Sequence, residues 1–531
     1  GETYVYKNPS YKVRDIANLI DKVLTGQEVD KKESKKIRFD LVKGGTVKVK
    51  QYFLETNKIK DIRGASSILD DLNRNIIPNY IKKHYIGECI VYAGGGNILG
   101  IFPEGEGKNI SRIIEEKHEI ESITAQNCAS YKTCSLWDLS KDNYRRTMGE
   151  LELRVTNRQM SKFDFREDVK IIDGIDGYKE HDKKGICEHC NMRYAHYETF
   201  TEEKLCSSCL KKVLKGGAKS KGNFKEQYHN FAISNGFKVD RLKDINNLGD
   251  IGDFIGVIYG DGNNMGDIVQ KITNLGQMRY FSNKTEDAIF QVVYNSLGEV
   301  LGHDGFEIIA IGGDDIFIIV PAEKALEIGV EIGEAFDNLF KNKSENRYTT
   351  TMSLGITISH CNTPVQYLFA LSQQLLKSAK KKSKKTGGLG TVDIMALETD
   401  KNLGSSLKFV RRYMRNGNIN LTLKPYTWEQ ARAIQGSIMR LKKSGARGKT
   451  YNFRDISYNM GLSEGELFYL YQMKRMEGRD KGTVEAIKYS LRELEKAFIL
   501  KGKALNLYTL DRDKERIYSP WADIVELWDY S

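Results

Sequence analysis

The sequence predicts an α+β protein built on two ferredoxin-like units, and three observations carry that prediction. One order of elements, strand–helix–hairpin–helix–strand, is written twice along the chain. The copies lie about 215 residues apart, a period that means domain duplication and not a solenoid. A cluster of four cysteines stands between them, and after residue 401 strand signals give way to amphipathic helical ones.

In the first copy, IRFDLV at 37–42 predicts a strand. Residues 58–84 predict a helix, with Ile59, Ile62, Ala65, Ile68, Leu69 and Leu72 at helical spacing. ECIVYAGGGNILGIFP is two apolar runs joined by Gly94-Gly95-Gly96-Asn97, a hairpin signal. A helix is expected at 107–118 and a strand at 121–130, followed by a helix at 137–163. In the second copy, FIGVIY at 254–259 predicts a strand that Asp261 follows. A helix is expected at 283–301, and FEIIAIGGDDIFIIVP is a hairpin with Gly312-Gly313-Asp314-Asp315 at its turn. A helix at 323–342, the strand TTMSLGITIS, a helix at 364–381 and a strand at 390–395 complete it. Helices at 427–443, 463–476 and 482–500 make a helical tail, in which Trp428, Trp521 and Trp528 read as core. The expected divisions are 1–165, 166–235, 236–400 and 401–531.

The chain has 531 residues, 40% of them hydrophobic, enough for ordinary buried cores. The formal charge of +11 suits contact with polyanions, because Lys and Arg neutralise phosphates. No uninterrupted apolar run reaches about 18 residues, so no membrane partner is expected. The opening GETYVYKNPSYKVRD lacks the apolar core of a secretion signal. Cys89, Cys128, Cys134 and Cys361 are scattered, which argues for a reducing, cytoplasmic compartment.

Asp314 and Asp315 sit at a tight turn between apolar strands. Gly312 and Gly313 remove side chains there, so that a nucleotide can approach the backbone. Asp261 follows the neighbouring strand, with Gly262, Asn263 and Asn264 after it. Converging carboxylates are hard oxygen ligands that suit a pair of Mg²⁺ or Mn²⁺ ions. Cys187-x-x-Cys190 and Cys206-x-x-Cys209, separated by 15 residues, predict a closed, structural Zn²⁺ site. His189 and His196 are read as surface residues, since four sulfurs fill the shell.

IYGDGNNMG with IAIGGDDIFIIVP resembles the second palm of the large, polymerase/cyclase-like subunit of type III CRISPR effector complexes. KIKDIRGASSILDDLN with IVYAGGGNILGIFP is similar to that family's degenerate first palm, and SLGITIS and LFALSQQLLKSAKKK fit as well. The resemblance implies two ferredoxin-like palm domains of the cyclase/polymerase type, an intervening zinc module and a C-terminal helical domain, in a type III-B-like subunit. Asp261 and Asp314 would then be metal ligands assisted by Asp315, and Lys380 would face the triphosphate. The family's acidic residue is replaced here by Asn263. The first palm, with Gly94, Gly95 and Gly96 at its turn, would bind substrate without catalysing, Ser67 and Asp70 lying on the helix beside it.

The implied activity is ATP-using nucleotidyl transfer that makes cyclic oligoadenylate when target RNA is bound. The implied partners are the other subunits of the ribonucleoprotein, its guide RNA and the target RNA. A second reading joins AMP from ATP to S-adenosylmethionine, with Asp70 and Glu150 contacting the methionine group. A third is a non-catalytic scaffold. About 36 residues precede the first expected strand and the first histidine is His84, so no HD-type nuclease domain is expected.

Overall fold

The structure, a computed structural model, describes residues 21–531 apart from 24, 29, 163–177, 181–184, 200, 218–222, 239–244, 303–304, 342–348, 398–405, 499–505 and 512–515. It divides into two compact units. The first takes residues 1–247, 264–291 and 308–315, and the second takes 248–263, 292–307 and 316–531.

In the first unit, strands β1 (Arg38–Thr46), β2 (Ile90–Gly94), β3 (Asn97–Pro103) and β4 (Asn127–Ser135) form a sheet in the order β2-β3-β1-β4. Every pairing is antiparallel. With helix α1 (Ile59–Asp71) between β1 and β2 and helix α2 (Gly107–Ser122) between β3 and β4, this is the ferredoxin-like order. β1 is buried along nearly its whole length, because α2 and helix α3 (Tyr144–Ser161) both pack on it.

Two sequence expectations are corrected here. Residues 121–122 belong to α2, and β4 begins only at Asn127. The Ser122 hydroxyl donates to His118 O and closes a last helical turn, which Ile123 ends at φ +63°. Residues 58–84 are not one regular helix. A π-helical segment, Leu72–Ile76, separates α1 from the helix Ile77–His84. Pro78 has no N–H to give back to the preceding turn, so the ladder re-registers just before it.

Strands β5 (Tyr178–Glu180), β6 (Tyr197–Thr199) and β7 (Lys204–Leu205) form a small antiparallel sheet in the first unit. In the second unit, β8 (Phe254–Gly262) lies between β10 (Asp315–Pro321) and β11 (Met352–His360), antiparallel to both. β12 (Thr391–Ala396) runs parallel to β11, and β15 (Tyr426–Thr427) pairs beyond it. Strand β9 (Glu307–Gly312) leads through Gly313 and Asp314 into β10, and the long helix Leu275–Val300 precedes it; of these segments, residues 275–291 and 308–315 belong to the first unit. The helices Ala325–Lys341 and Val365–Lys385 pack on β11. Gly355 makes room there, since a Cβ on it would meet Ser372 O at 2.0 Å.

The tail is less purely helical than the sequence suggests. Helices Trp428–Lys443, Leu462–Glu477 and Lys481–Phe498 are joined by an unforeseen helix, Arg447–Asn459. A small sheet of four strands accompanies them, formed by β13 (Arg415–Asn416), β14 (Ile419–Asn420), β16 (Thr509–Asp511) and β17 (Arg516–Tyr518). Two or three residues cannot display an alternation, which is why the pattern missed them. Trp428, Trp521 and Trp528 are all buried.

Trp428 fastens the tail to the second palm. Its indole N–H donates to Asp337 Oδ2 at 2.8 Å, while Met352 N–H donates to Oδ1 at 2.9 Å. Burial pushes the Asp337 carboxyl up to about 6, against the pull of these donors. Trp428→Phe removes one donor from this buried carboxylate, an expected loss of about 1–3 kcal/mol. Denaturant unfolding of the full chain should read it as a lower midpoint with unchanged zinc content.

Candidate nucleotide and zinc sites

The two residues between β9 and β10 decide where the carboxylates stand. Gly313 is at φ +62° and Asp314 is not in the left-handed region, the pattern of a II′ turn with glycine at its first central position. A Cβ added to Gly312 or Gly313 would meet no side chain, only the backbone of Gly95, at 3.6 and 3.9 Å. Asp314 and Asp315 are both partly exposed. Burial pushes the Asp315 carboxyl up from its ordinary value and the Lys50 ammonium, 3.4 Å from Oδ1, opposes it.

Asp261 was expected after its strand, and the structure places it inside β8, opposite Ser353 of β11. β10 pairs with β8 so that Ile316 faces Gly260. Asp261 follows Gly260 in the chain, and Asp315 precedes Ile316. Lys380, on the helix Val365–Lys385, ion-pairs with Asp261 and donates to Gly262 O at 3.0 Å. Asn263 is buried and fully engaged. Its N–H donates to Thr351 O and its amide to Thr351 Oγ1, while its side-chain oxygen accepts from Ser353. It fixes the end of β8 and offers no free ligand atom. Asn264 sits at φ +57° at the start of the next helix and is exposed.

In the first unit the matching turn is Gly95-Gly96, both at positive φ (+58° and +84°), the I′ pattern. Behind it lies a charge cluster. Arg74 donates to Asp70 at 2.7 Å and to Glu286 at 2.5 Å, and Gln227 donates to Asp70 at 3.2 Å. Glu286 lies against Gly94, where a Cβ would come within 2.7 Å of its carboxylate. Burial raises both carboxyls and Arg74 opposes. Glu286 carried no signal in the sequence, being 212 residues from Arg74. Ser67 is buried with its hydroxyl unpartnered. Glu150 pairs instead with Lys132 and Arg146, a set different from the partners of Asp70. Arg63 and Gly64 of α1 serve packing: Arg63 donates to Gly216 O and Ile245 O, and Gly64 rests against Lys212 O.

The thiols of Cys187, Cys190, Cys206 and Cys209 are buried, with all four sulfurs within 4.8 Å of one another. Cys190 and Cys206 sulfurs are 3.9 Å apart. A tetrahedral zinc with bonds of about 2.3 Å needs sulfurs about 3.8 Å apart, so these residues fit that ion. The two histidines are not on the surface as expected. His196 is buried, and His189 is held in place by α1, its Nδ1 2.6 Å from Asp61 Oδ2. A buried ion cluster completes the attachment, in which Arg193 and Lys212 both donate to Glu55. One zinc per chain is expected by elemental analysis. Cys206→Ala should abolish it and make the 178–216 segment sensitive to protease, because a module this small has little other core.

Comparison with known proteins agrees with this geometry. Residues 254–387 match the family model of Cas10/Cmr2, second palm domain. The CRISPR system Cmr subunit Cmr2 of Pyrococcus furiosus is 25% identical over 224 residues, 40% of this chain and 23% of that protein. The chain therefore aligns with about a quarter of that relative's length. Among solved structures, a Csm1-Csm4 cassette in complex with cA4 is similar at TM-score 0.53, with 12% identity, covering 88% of this chain and 71% of that one. The cassette in complex with AMPPNP gives TM-score 0.53 with 13% identity, over 86% and 70%. No helix among the described residues is long and apolar enough to cross a membrane. Residues 254–387 thus match a Cas10/Cmr2 second palm domain, and the chain is similar over part of its length to a CRISPR-system Cmr2 subunit.

Proposed function

We propose that this chain is a metal-dependent nucleotidyltransferase that makes cyclic oligoadenylate from ATP within a type III CRISPR complex. The observation that carries the reading is the GGDD turn, where two acids stand at a glycine-only corner that leaves the backbone open to a nucleotide. Asp261, Asp314 and Asp315 would hold Mg²⁺ or Mn²⁺, whose charge would activate a ribose 3′-hydroxyl and stabilise the leaving pyrophosphate. Lys380 supplies a cation at Asp261 that could pass to a phosphate. Asn263 holds the strand end in register, and Gly312 and Gly313 keep the approach clear. The proposed role of the Gly94–Gly96 turn, with Ser67 and Asp70, is to hold the second nucleotide.

Related Csm1-Csm4 cassettes are found in complex with cA3 and with one ATP, which supports a nucleotide-handling role for the shared fold. A Cmr2 and several Csm1 subunits stand among the relatives, so a type III-B-like assignment draws support from the first of these. Guide RNA, target RNA and neighbouring subunits are the proposed partners.

A second reading has one observation in its favour. The cluster of Asp70, Glu286 and Arg74 carries two carboxylates for one cation beside Gly94, a setting that suits a positively charged ligand such as S-adenosylmethionine. Both readings use the same acids, so one experiment tests them. The chain is assembled with its partners and guide, given target RNA, Mn²⁺ and ATP with or without S-adenosylmethionine, and its products are weighed by mass spectrometry. Adenylate rings from ATP alone are the expected result, lost by at least 100-fold in Asp314→Ala/Asp315→Ala, on the order expected when such charge stabilisation is removed. A product that needs S-adenosylmethionine would replace the ring reading with the conjugate. No product from a target-bound complex would leave a scaffold.

A further inference from the structure

Lys50 carried no signal in the sequence, yet its side chain meets the GGDD turn within the first unit. Its ammonium lies 3.4 Å from Asp315 Oδ1, and both side chains are about two-fifths exposed. An exposed lysine beside an acid is usually a loose surface pair. Three features set this one apart.

The backbone that carries Lys50 is fixed on both sides. Upstream, Thr46 N–H donates to Gly96 O at 2.8 Å and Val47 N–H donates to Gln126 O at 2.6 Å. Gly45 lies so close beneath the Gly96 carbonyl that a Cβ would come within 2.0 Å of it. Downstream, Tyr52 is buried with the Lys212 ammonium 4.0 Å from its ring centre, and Glu55 is gripped by Lys212 and Arg193. Lys50 is thus presented on the short helix Val49–Phe53 between the glycine turn of the first palm and the zinc module.

The second feature is its target. Asp315 is one of the acids that would hold the divalent ions, and an ammonium and a divalent ion at one carboxylate repel each other and so compete for it. The third is a parallel. In the second unit Asp261 also has a lysine, Lys380, on its carboxylate.

We propose that Lys50 is the resident counter-ion of the GGDD turn, a positioning residue that holds Asp315 until a metal–nucleotide complex displaces it and then turns to the phosphates. No bond is made or broken in this exchange. A lysine suits the task, being a compact charge on a flexible stem with three donors. The proposal rests on the nucleotidyltransferase reading, and its test separates the two.

Mn²⁺ binding to the full chain without nucleotide is followed by the paramagnetic resonance of the free ion, in Lys50→Met, Lys50→Arg, Asp315→Asn and the Lys50→Met/Asp315→Asn double variant. Removing a positive charge a few ångströms from the site should tighten Mn²⁺ binding by about 3–10-fold in Lys50→Met, a screened Coulomb effect. Lys50→Arg should match the parent, and the difference should vanish in the Asp315→Asn background. ATP binding in Mn²⁺ should weaken by about the same factor in Lys50→Met, a loss that a merely structural residue would not pair with tighter metal. The melting temperature should stay within about one degree, as for any half-exposed pair. Unchanged Mn²⁺ affinity in Lys50→Met, with affinity lost in Asp315→Asn, overturns the role of Lys50 and leaves the metal site standing. Mn²⁺ binding indifferent to Asp315 overturns the role of Lys50, and binding that also survives Asp261→Ala/Asp314→Ala overturns both.

Discussion

Strand register is the constraint on which the candidate chemistry depends. β8 is hydrogen-bonded on both edges, with Gly260 opposite Ile316 of β10 and Asp261 opposite Ser353 of β11. A slip of one residue on either side would turn Asp261 to the opposite face of the sheet. The sequence guards against that slip with buried apolar residues on both faces. Val257, Ile258, Ile316, Ile318, Leu354 and Ile356 are all fully buried. Asn263 adds a polar lock at the open end of the strand, where it ties the chain to Thr351 and Ser353. A residue that could be mistaken for a weakened ligand is therefore part of the frame that aims one.

Charge balance follows from that rigidity. Carboxylates held in place at an opening in the protein cannot relax away from one another, and each needs compensation. Asp261 has Lys380, Asp315 has Lys50, and the pair Asp70 and Glu286 share Arg74. The first two lysines sit on flexible stems and are partly exposed, so they can be exchanged for other cations. Arg74 differs. It is fixed by two acids at once and by stacking on Phe290, 4.4 Å from its ring centre, and so reads as a permanent member of its cluster.

How much of this was legible depends on whether the signal is local. The duplicated element order, the glycine turns and the cysteine spacing are all written within a few residues, and each was readable. Asp314 and Asp315 could be singled out because only glycine and acid make sense at that turn between apolar strands. Glu286, Lys50 and Glu55 could not be singled out. Each acts through a partner far along the chain, 212 residues from Arg74 to Glu286 and 265 from Lys50 to Asp315. His189 was misplaced for the same reason: its burial is decided by Asp61, 128 residues away. The π-helical break before Pro78 was local, but a helix-length run of apolar residues concealed it.

The two glycine turns show what duplication kept and what it changed. Both turns use glycine at positive φ, but the first has Glu286 and Val49 against its glycines, while a Cβ on Gly312 or Gly313 would meet only the backbone of Gly95. Carboxylates remain on the second turn and have gone from the first, where Gly96 and Asn97 follow Gly95. The acid in the first palm comes from elsewhere: Asp70 from α1 and Glu286 from the long helix, both braced by Arg74. Under the proposed reaction, this first palm would bind its nucleotide without catalysing, and the selectivity of the reaction would lie with the half that lacks the paired acids.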